Sequence, residues 1–312
     1  MDASDLHPDA QAYLEQTEEA PDLHTLPPEE ARAFSRRMSI TSGDPEPVGE
    51  VHDIVVRGNG HGIPVRIYVP NGEDPHPTLV WAHGGGFVMG DVETADATAR
   101  ALTNASQCVV ASVDYRLAPE HPFPAPQRDM YTVTSWAVEH IEEYGGDPSR
   151  LAVGGDSAGG TLAAATTLLA REREGPDIAY QVLIYPAVNY SREPASYEEF
   201  ADSFLGTDVR EWFNACYLPD PLHGHNPMAF PLEAAEFSGL PAATVLTAGY
   251  DPLRDEGRAY AEGLSEAGSA VSYHHYEDVI HGFFGMLDEP EWERSRDAVA
   301  DVGADLQAQF LE

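Results

Sequence analysis

Gly154-Gly155-Asp156-Ser157-Ala158-Gly159-Gly160 is the stretch that decides how this chain is read. It follows the short apolar run Leu151-Ala152-Val153 and precedes a helix-forming run over 161–171. The pattern is a strand, a sharp glycine turn and a helix, with a serine at the apex. A serine there sits in a strained backbone conformation that close glycines permit. Its hydroxyl projects from the carboxyl end of a sheet, where open α/β folds place their sites. Gly-x-Ser-x-Gly alone is weak; the flanking strand and helix give it meaning.

A second motif lies upstream. His83-Gly84-Gly85-Gly86-Phe87 follows the apolar run Pro77-Thr78-Leu79-Val80-Trp81-Ala82. Three consecutive glycines after a buried strand expose backbone N–H groups with no side chains to block approach. Acyl transfer needs such donors aimed at the oxygen that becomes an oxyanion. A phosphate loop would carry Gly-Lys-Ser or the Gly-x-Gly-x-x-Gly order, and neither occurs. Gly84 and Gly85 are therefore expected as two hole donors. The N–H of Ala158, the residue after the nucleophile, is the third. His83 and Gly86 are expected to support the loop.

Five blocks stand in one order: His83-Gly84-Gly85-Gly86-Phe87, Asp114-Tyr115-Arg116-Leu117-Ala118-Pro119-Glu120, Gly155-Asp156-Ser157-Ala158-Gly159-Gly160, Asp251-Pro252-Leu253 and His281-Gly282-Phe283. Together they resemble the hormone-sensitive lipase branch of the α/β-hydrolase carboxylesterases. The match runs from about residue 50 to the C-terminus, and Asp156 beside the serine resembles the Gly-Asp-Ser-Ala-Gly subgroup. The resemblance implies the α/β-hydrolase fold and hydrolysis of short- to medium-chain acyl esters.

The triad order of that fold is serine, then an acid, then histidine. After Ser157, 242–249 reads as a buried strand and Asp251 lies just beyond it. An acid there accepts a histidine N–H and fixes its tautomer. Read alone, Asp251-Pro252 after a strand is a turn and helix cap. Asp255 competes for the role but falls inside the predicted helix. Among thirteen histidines, His274 and His275 fall inside an alternating strand over 271–277, one expected in the core and the other solvated. His281 is expected four residues past that strand, in a loop, and is assigned as the base.

The order of elements agrees. An antiparallel start is predicted at 50–56 and 64–69, joined through Arg57-Gly58-Asn59-Gly60. Strands follow near 77–82, 108–114, 151–155, 179–185, 242–248 and 271–277. Helical patterns fall near 94–105, 126–144, 158–172, 254–267 and 291–311. The fold class is thus α/β: a mostly parallel eight-stranded sheet with helices on both faces and a helical cap. Residues 1–45 are expected as the N-terminal part of that cap, 46–187 as the first part of the core, 188–240 as the cap insertion and 241–312 as the second part of the core. An insertion at the catalytic end of a sheet makes a natural lid and pocket wall. Phe87, Phe204, Trp212 and Phe213 are the expected substrate-pocket residues.

Seventeen basic residues face fifty-three acidic ones, a formal net charge of −36, and all seventeen are arginine. So acidic a chain excludes nucleic acid and anionic membranes as partners. At molar salt the Debye length falls to about 3 Å and self-repulsion is screened. The composition therefore suggests a halophile's cytoplasm. Cys108 and Cys216 are expected as free thiols in a reducing compartment. The start Met1-Asp2-Ala3-Ser4-Asp5 has no basic and apolar run of a secretory signal. No apolar run approaches the ~20 residues of a membrane span. No metal-ligand spacing occurs, and no cofactor is implied.

The expected protein is a cytoplasmic carboxylesterase, monomer or homodimer, acting on a small-molecule ester. Amide, lactone or carbamate hydrolysis on the same triad stays open, as does acyl transfer. A non-catalytic binding module is the alternative from another class. The plant gibberellin receptors resemble this family yet lack the triad histidine.

Overall fold

Two-residue alternation in the central strands sends successive side chains into two cores, one on each face of the sheet. In β3 (His76–Ala82), Leu79 and Trp81 join one core while Val80 and Ala82 join the other. In β6 (Tyr180–Ile184), Val182 and Ile184 face away from Leu183 in the same way. Strands buried on both faces read as continuous apolar runs, as a helix-covered sheet requires. The computed structural model describes residues 5–39, 45–58, 60–287 and 291–311.

Among these residues, eight strands form one sheet. β1 (Glu50–Arg57) and β2 (Gly62–Val69) pair antiparallel, with Ile54 opposite Val65. β2 in turn pairs antiparallel with β4 (Val109–Val113). From β4 onward the neighbours are parallel, in the order β4, β3, β5 (Gly146–Asp156), β6, β7 (Ala242–Tyr250) and β8 (Val271–Ile280).

Helices cover both faces. The first core is closed by α4 (Ala125–His140), α5 (Ala158–Arg173) and α8 (Arg254–Glu266), which contribute Met130, Val133, Leu162, Leu168, Tyr260 and Leu264. The second is closed by α3 (Asp96–Ser106) and α9 (Glu293–Phe310), through Leu102, Val299, Val302 and Leu306. The doubly covered, mostly parallel sheet is the expected architecture.

Two stretches stand outside this alternation. Before β1, α1 (Pro8–Thr17) packs Tyr13 edge-on against Trp292, and α2 (Pro28–Ser39) buries Ala31 in the first core. Between β6 and β7 lie α6 (Ala195–Glu199), α7 (Thr207–Tyr217) and the short turns Pro221–His225 and Pro231–Glu233. The two stretches meet where the turn Leu23–Thr25 packs on α7. Asn59 of the expected hairpin turn, Met1 to Ser4 of the N-terminus and residues 40–44 of the 1–45 segment lie outside the described residues.

Several expectations shift in detail. β8 continues to Ile280 rather than ending at 277, so His281 follows the strand directly instead of standing in a loop beyond it. An irregularity opposite it, between Ala248 and Tyr250, absorbs the extra length. Since β8 is the last strand of the sheet, neither His274 nor His275 is a core residue. His274 lies 2.9 Å from Asp305 and His275 2.9 Å from Thr247. No helix among the described residues is long and apolar enough to cross a membrane. Cys108 is buried, Cys216 half-buried on α7, and both are free.

Candidate active site

The carboxyl ends of β5, β7 and β8 bring Ser157, Asp251 and His281 together. β5 runs to Asp156, and Ser157 then turns the chain into α5 with φ +53° and ψ −119°. That conformation is costly for a residue with a Cβ and persists only where the surroundings impose it. Here Gly159 lets α5 press against β3: a Cβ on it would lie 1.9 Å from the carbonyl oxygen of Ala82.

His281 Nε2 lies 2.9 Å from Ser157 Oγ, and its Nδ1 lies 2.7 Å from Asp251 Oδ2. A carboxylate oxygen accepts, so Nδ1 carries the proton and Nε2 is left to accept from the serine hydroxyl. Asp251 is fully buried, and its second oxygen takes the N–H of Leu253 at 2.8 Å. Its position at the start of α8 makes it both the turn residue and the histidine's partner. Asp255 is turned elsewhere: it pairs with Arg254 and Arg258 and accepts the N–H of Ser196. These contacts hold its carboxyl below the usual range, although burial opposes them.

The glycine loop differs from expectation at one donor. Gly84 N–H is already donated to Asp156 Oδ1 at 3.0 Å, so it is not free for an oxyanion. Among the described residues, neither Gly85 nor Gly86 has its N–H engaged, while Gly85 O takes the N–H groups of Val88 and Met89. Ala158, as first residue of α5, has no partner a turn earlier in the helix, and the helix dipole favours negative charge there. Gly86 adopts φ +61°, and a Cβ on it would lie 2.2 Å from the Phe213 ring. The loop therefore needs glycine at this position for both backbone and space.

Support for the loop comes from below. His83 is buried, donates from Nδ1 to Gly84 O at 2.7 Å and stacks on Tyr115 at 4.3 Å between ring centroids. Burial pushes its pKa down, which keeps the ring neutral. The Tyr115 hydroxyl donates to His83 O at 2.8 Å. Burial pushes the Asp156 carboxyl up to about 6, against the pull of His281 and the Gly84 N–H.

The expected pocket residues separate into two groups. Phe204 is 44% exposed and its ring lies 6.3 Å from that of His281. Phe213 packs on Gly86, with the half-buried Trp212 ring 5.1 Å from it. Phe87 departs from expectation. It is buried and stacked on Tyr217 at 3.8 Å, which fastens the loop to α7.

Sequence reasoning passed over Tyr185 and Glu256. The Tyr185 ring lies 4.5 Å from that of His281, tilted by 51°. Glu256 is buried in the first turn of α8. It accepts the N–H groups of Val188 (2.7 Å) and Asn189 (3.2 Å) and the hydroxyl of Tyr197. Burial pushes its carboxyl up to about 8. A glutamate within Leu253-Arg254-Asp255-Glu256-Gly257 gave no hint of burial, since its partners lie about 60 residues earlier. Among the described residues, no group of three or more His, Cys, Asp or Glu is placed to hold a metal.

Comparison with known proteins identifies the family. A family model described as alpha/beta hydrolase fold matches residues 79–285. The carboxylic ester hydrolase LipN of Mycobacterium tuberculosis is 40% identical, covering 82% of this chain and 70% of that protein. Carboxylesterase NlhH of the same organism is 43% identical over 71% of each. Among solved structures, the ester-hydrolase EH1AB1 from the metagenome of Lake Arreo superposes with a TM-score of 0.94. It is 42% identical, covering 98% of this chain and all of that one.

Proposed function

The chain belongs to the alpha/beta hydrolase fold family, and on that basis we propose that it is a serine carboxylesterase for short- to medium-chain acyl esters. The observation that carries this reading is the continuous line Asp251–His281–Ser157 at 2.7 and 2.9 Å beside unengaged amides of Gly85, Gly86 and Ala158. Family members named for ester hydrolysis at about 40% identity support it.

The mechanism follows from the geometry. Ser157 Oγ attacks the ester carbonyl carbon while His281 Nε2 takes its proton, and Asp251 holds the imidazolium that forms. The carbonyl oxygen becomes an oxyanion facing the amides of Gly85, Gly86 and Ala158. Each such donor contributes about 10²–10³ in turnover. His281 returns the proton to the leaving alcohol, and water repeats the cycle on the acyl-enzyme. No cofactor enters. Gly155-Asp156-Ser157-Ala158-Gly159 supports a reading within the Gly-Asp-Ser-Ala-Gly subgroup, with Asp156 holding the glycine loop.

In this reading, residues 1–45 and 188–240 form the cap over a core of 46–187 and 241–312. Phe204, Trp212 and Phe213 then bound the acyl pocket. The surface suits a salt-rich cytoplasm. A net charge of −36 without lysine favours arginine, whose planar fork pairs with several carboxylates at once. Arg66 does so, at 2.6 Å from Asp53, 2.9 Å from Glu93 and 3.4 Å from Asp96.

The test is hydrolysis of p-nitrophenyl acetate, butyrate, octanoate and palmitate in molar potassium chloride, wild type beside Ser157→Ala. Turnover of the short esters that vanishes in the variant is expected. A folded protein with no Ser157-dependent turnover on any ester would sink the reading in favour of a binding module.

A further inference from the structure

One guanidinium ties the N-terminal stretch to the glycine loop. Ala31, fully buried, seats α2 against the body of the molecule. The next residue, Arg32, donates from Nε to Val88 O at 2.7 Å and from Nη2 to Ala118 O at 2.8 Å. Both Nη atoms also reach the Glu120 carboxylate, at 2.8 and 2.5 Å. Val88 is two residues past Gly86, and its own N–H closes the turn on Gly85 O at 3.1 Å. Ala118 N–H donates to Phe87 O at 2.9 Å, so both carbonyls held by Arg32 belong to segments bonded to the loop. One helical turn on, Arg36 pairs with Asp91 at 2.6 Å, at the loop's far end.

A surface ion pair would contribute little here, because solvent screens it. Arg32 is a different case: its side chain is only 27% exposed, and two of its partners are main-chain carbonyls. Each is a charge-assisted bond, stronger than a neutral one.

We propose that Arg32 is a positioning residue for the oxyanion hole. By holding the carbonyls of Val88 and Ala118 it aims the N–H groups of Gly85 and Gly86, and it makes the hole's geometry depend on the seating of α2. The inference rests on the reading of these two amides as hole donors. Glu120 keeps the guanidinium oriented. Its carboxyl is held at about 2, chiefly by the hydrogen bond from Arg32, so the pair stays charged throughout the neutral range.

Wild type is compared with Arg32→Ala, Arg32→Lys and Glu120→Gln by three measurements. These are p-nitrophenyl butyrate kinetics, inhibition by a trifluoromethyl ketone, and amide hydrogen exchange over residues 85–91. The ketone is bonded at carbon by Ser157 Oγ and places its charged oxygen in the hole, so its affinity reads the hole directly. A loop displaced by ~1 Å should lose about 10²-fold in kcat for Arg32→Ala, with KM moving by no more than about threefold. Ketone affinity falls in parallel with kcat/KM, and the Val88 and Met89 amides exchange faster. Arg32→Lys recovers part of the loss, since one ammonium cannot hold two carbonyls and a carboxylate together. Glu120→Gln, which keeps both carbonyl bonds, falls by less than about tenfold.

A raised KM at constant kcat would overturn the proposal. So would a lowered Tm with kcat and ketone affinity unchanged, because either leaves Arg32 as a fastening only. If Arg32→Ala fails to fold, Arg32→Lys and Glu120→Gln carry the same comparison. Were the wild type to turn over no ester, the hydrolase reading would fail on its own. Loop exchange in Arg32→Lys would still decide the clamp, and unchanged rates would refute it.

Discussion

Asp156 Oδ1 accepts the N–H of Gly84 at 3.0 Å, a bond that joins the nucleophile's strand to the glycine-rich loop across 72 residues of sequence. The contact leaves no room for a side chain, since a Cβ on Gly84 would lie 2.3 Å from Asp156 Oδ2. It engages the Gly84 N–H and leaves the amides of Gly85 and Gly86 as the unengaged donors of the proposed hole. Asp156, beside Ser157, is thereby an anchor for the glycine loop.

Asp156→Asn keeps an oxygen acceptor and should retain most activity, whereas Asp156→Ala leaves the loop unheld. The expected loss for the alanine variant is about 10-fold or more in kcat with little change in KM, because an interaction of the transition state is disturbed. Steady-state kinetics of the two variants side by side checks this. Equal losses would mean that charge, not loop position, is what Asp156 supplies.

Gly86→Ala introduces a Cβ at φ +61° and 2.2 Å from the Phe213 ring. Turnover should fall by about 10²-fold, the scale of one lost hole donor. Adding Phe213→Ala should restore part of it by removing the clash, leaving the backbone strain of ~1 kcal/mol or more. The double-mutant cycle measures the coupling, and additive losses would contradict the packing argument.

Glu256 titrates at about 8 instead of its ordinary 4.5 because burial disfavours the anion. Between those values the unfolded chain has released this proton and the folded chain has kept it. Stability should therefore fall as pH rises from about 4.5 to about 8, approaching ~1.4 kcal/mol per pH unit from this group. Glu256→Gln removes the titration while keeping an acceptor for the Val188 and Asn189 amides. Denaturant melts across that window should show a flatter profile for the variant.

Phe204 is 44% exposed, with its ring 6.3 Å from that of His281. Phe204→Ala should leave stability within about 0.5 kcal/mol and shift preference toward octanoate over butyrate by widening the pocket mouth. The ratio of kcat/KM for the two esters is the readout.

Salt withdrawal should unfold the protein. At 0.1 M salt the Debye length is about 10 Å, so a net charge of −36 repels itself across neighbouring side chains. Circular dichroism through a potassium chloride titration should show loss of structure well below 1 M. Equal melting temperatures at 0.1 and 3 M, taken as rough end points, would remove the halophilic reading.

Much of this molecule was legible because its signals are local. Leu79, Trp81, Val153 and Val182 sit in short apolar runs whose period sets both strand and face. Ser157 lies in a turn whose glycines are adjacent in sequence. Asp251 and His281 each follow a strand that ends at the same edge, so their convergence follows from topology. Arg32, Glu256 and Tyr185 were not legible, because each acts on partners dozens of residues away. Gly84 and Gly86 look alike in a run of three glycines, and Phe87 looks like a pocket wall until it is found stacked on Tyr217.

The sequence by itself determined the strand order's raw material, the Ser157 turn and the acidic, lysine-free surface, since backbone propensity, apolar period and net charge are properties of neighbouring residues or of composition. Only the tertiary structure decided which glycine amides are free and what holds the loop. Those outcomes depend on contacts such as Gly84 with Asp156 and Arg32 with Val88, which exist only after distant segments have packed together.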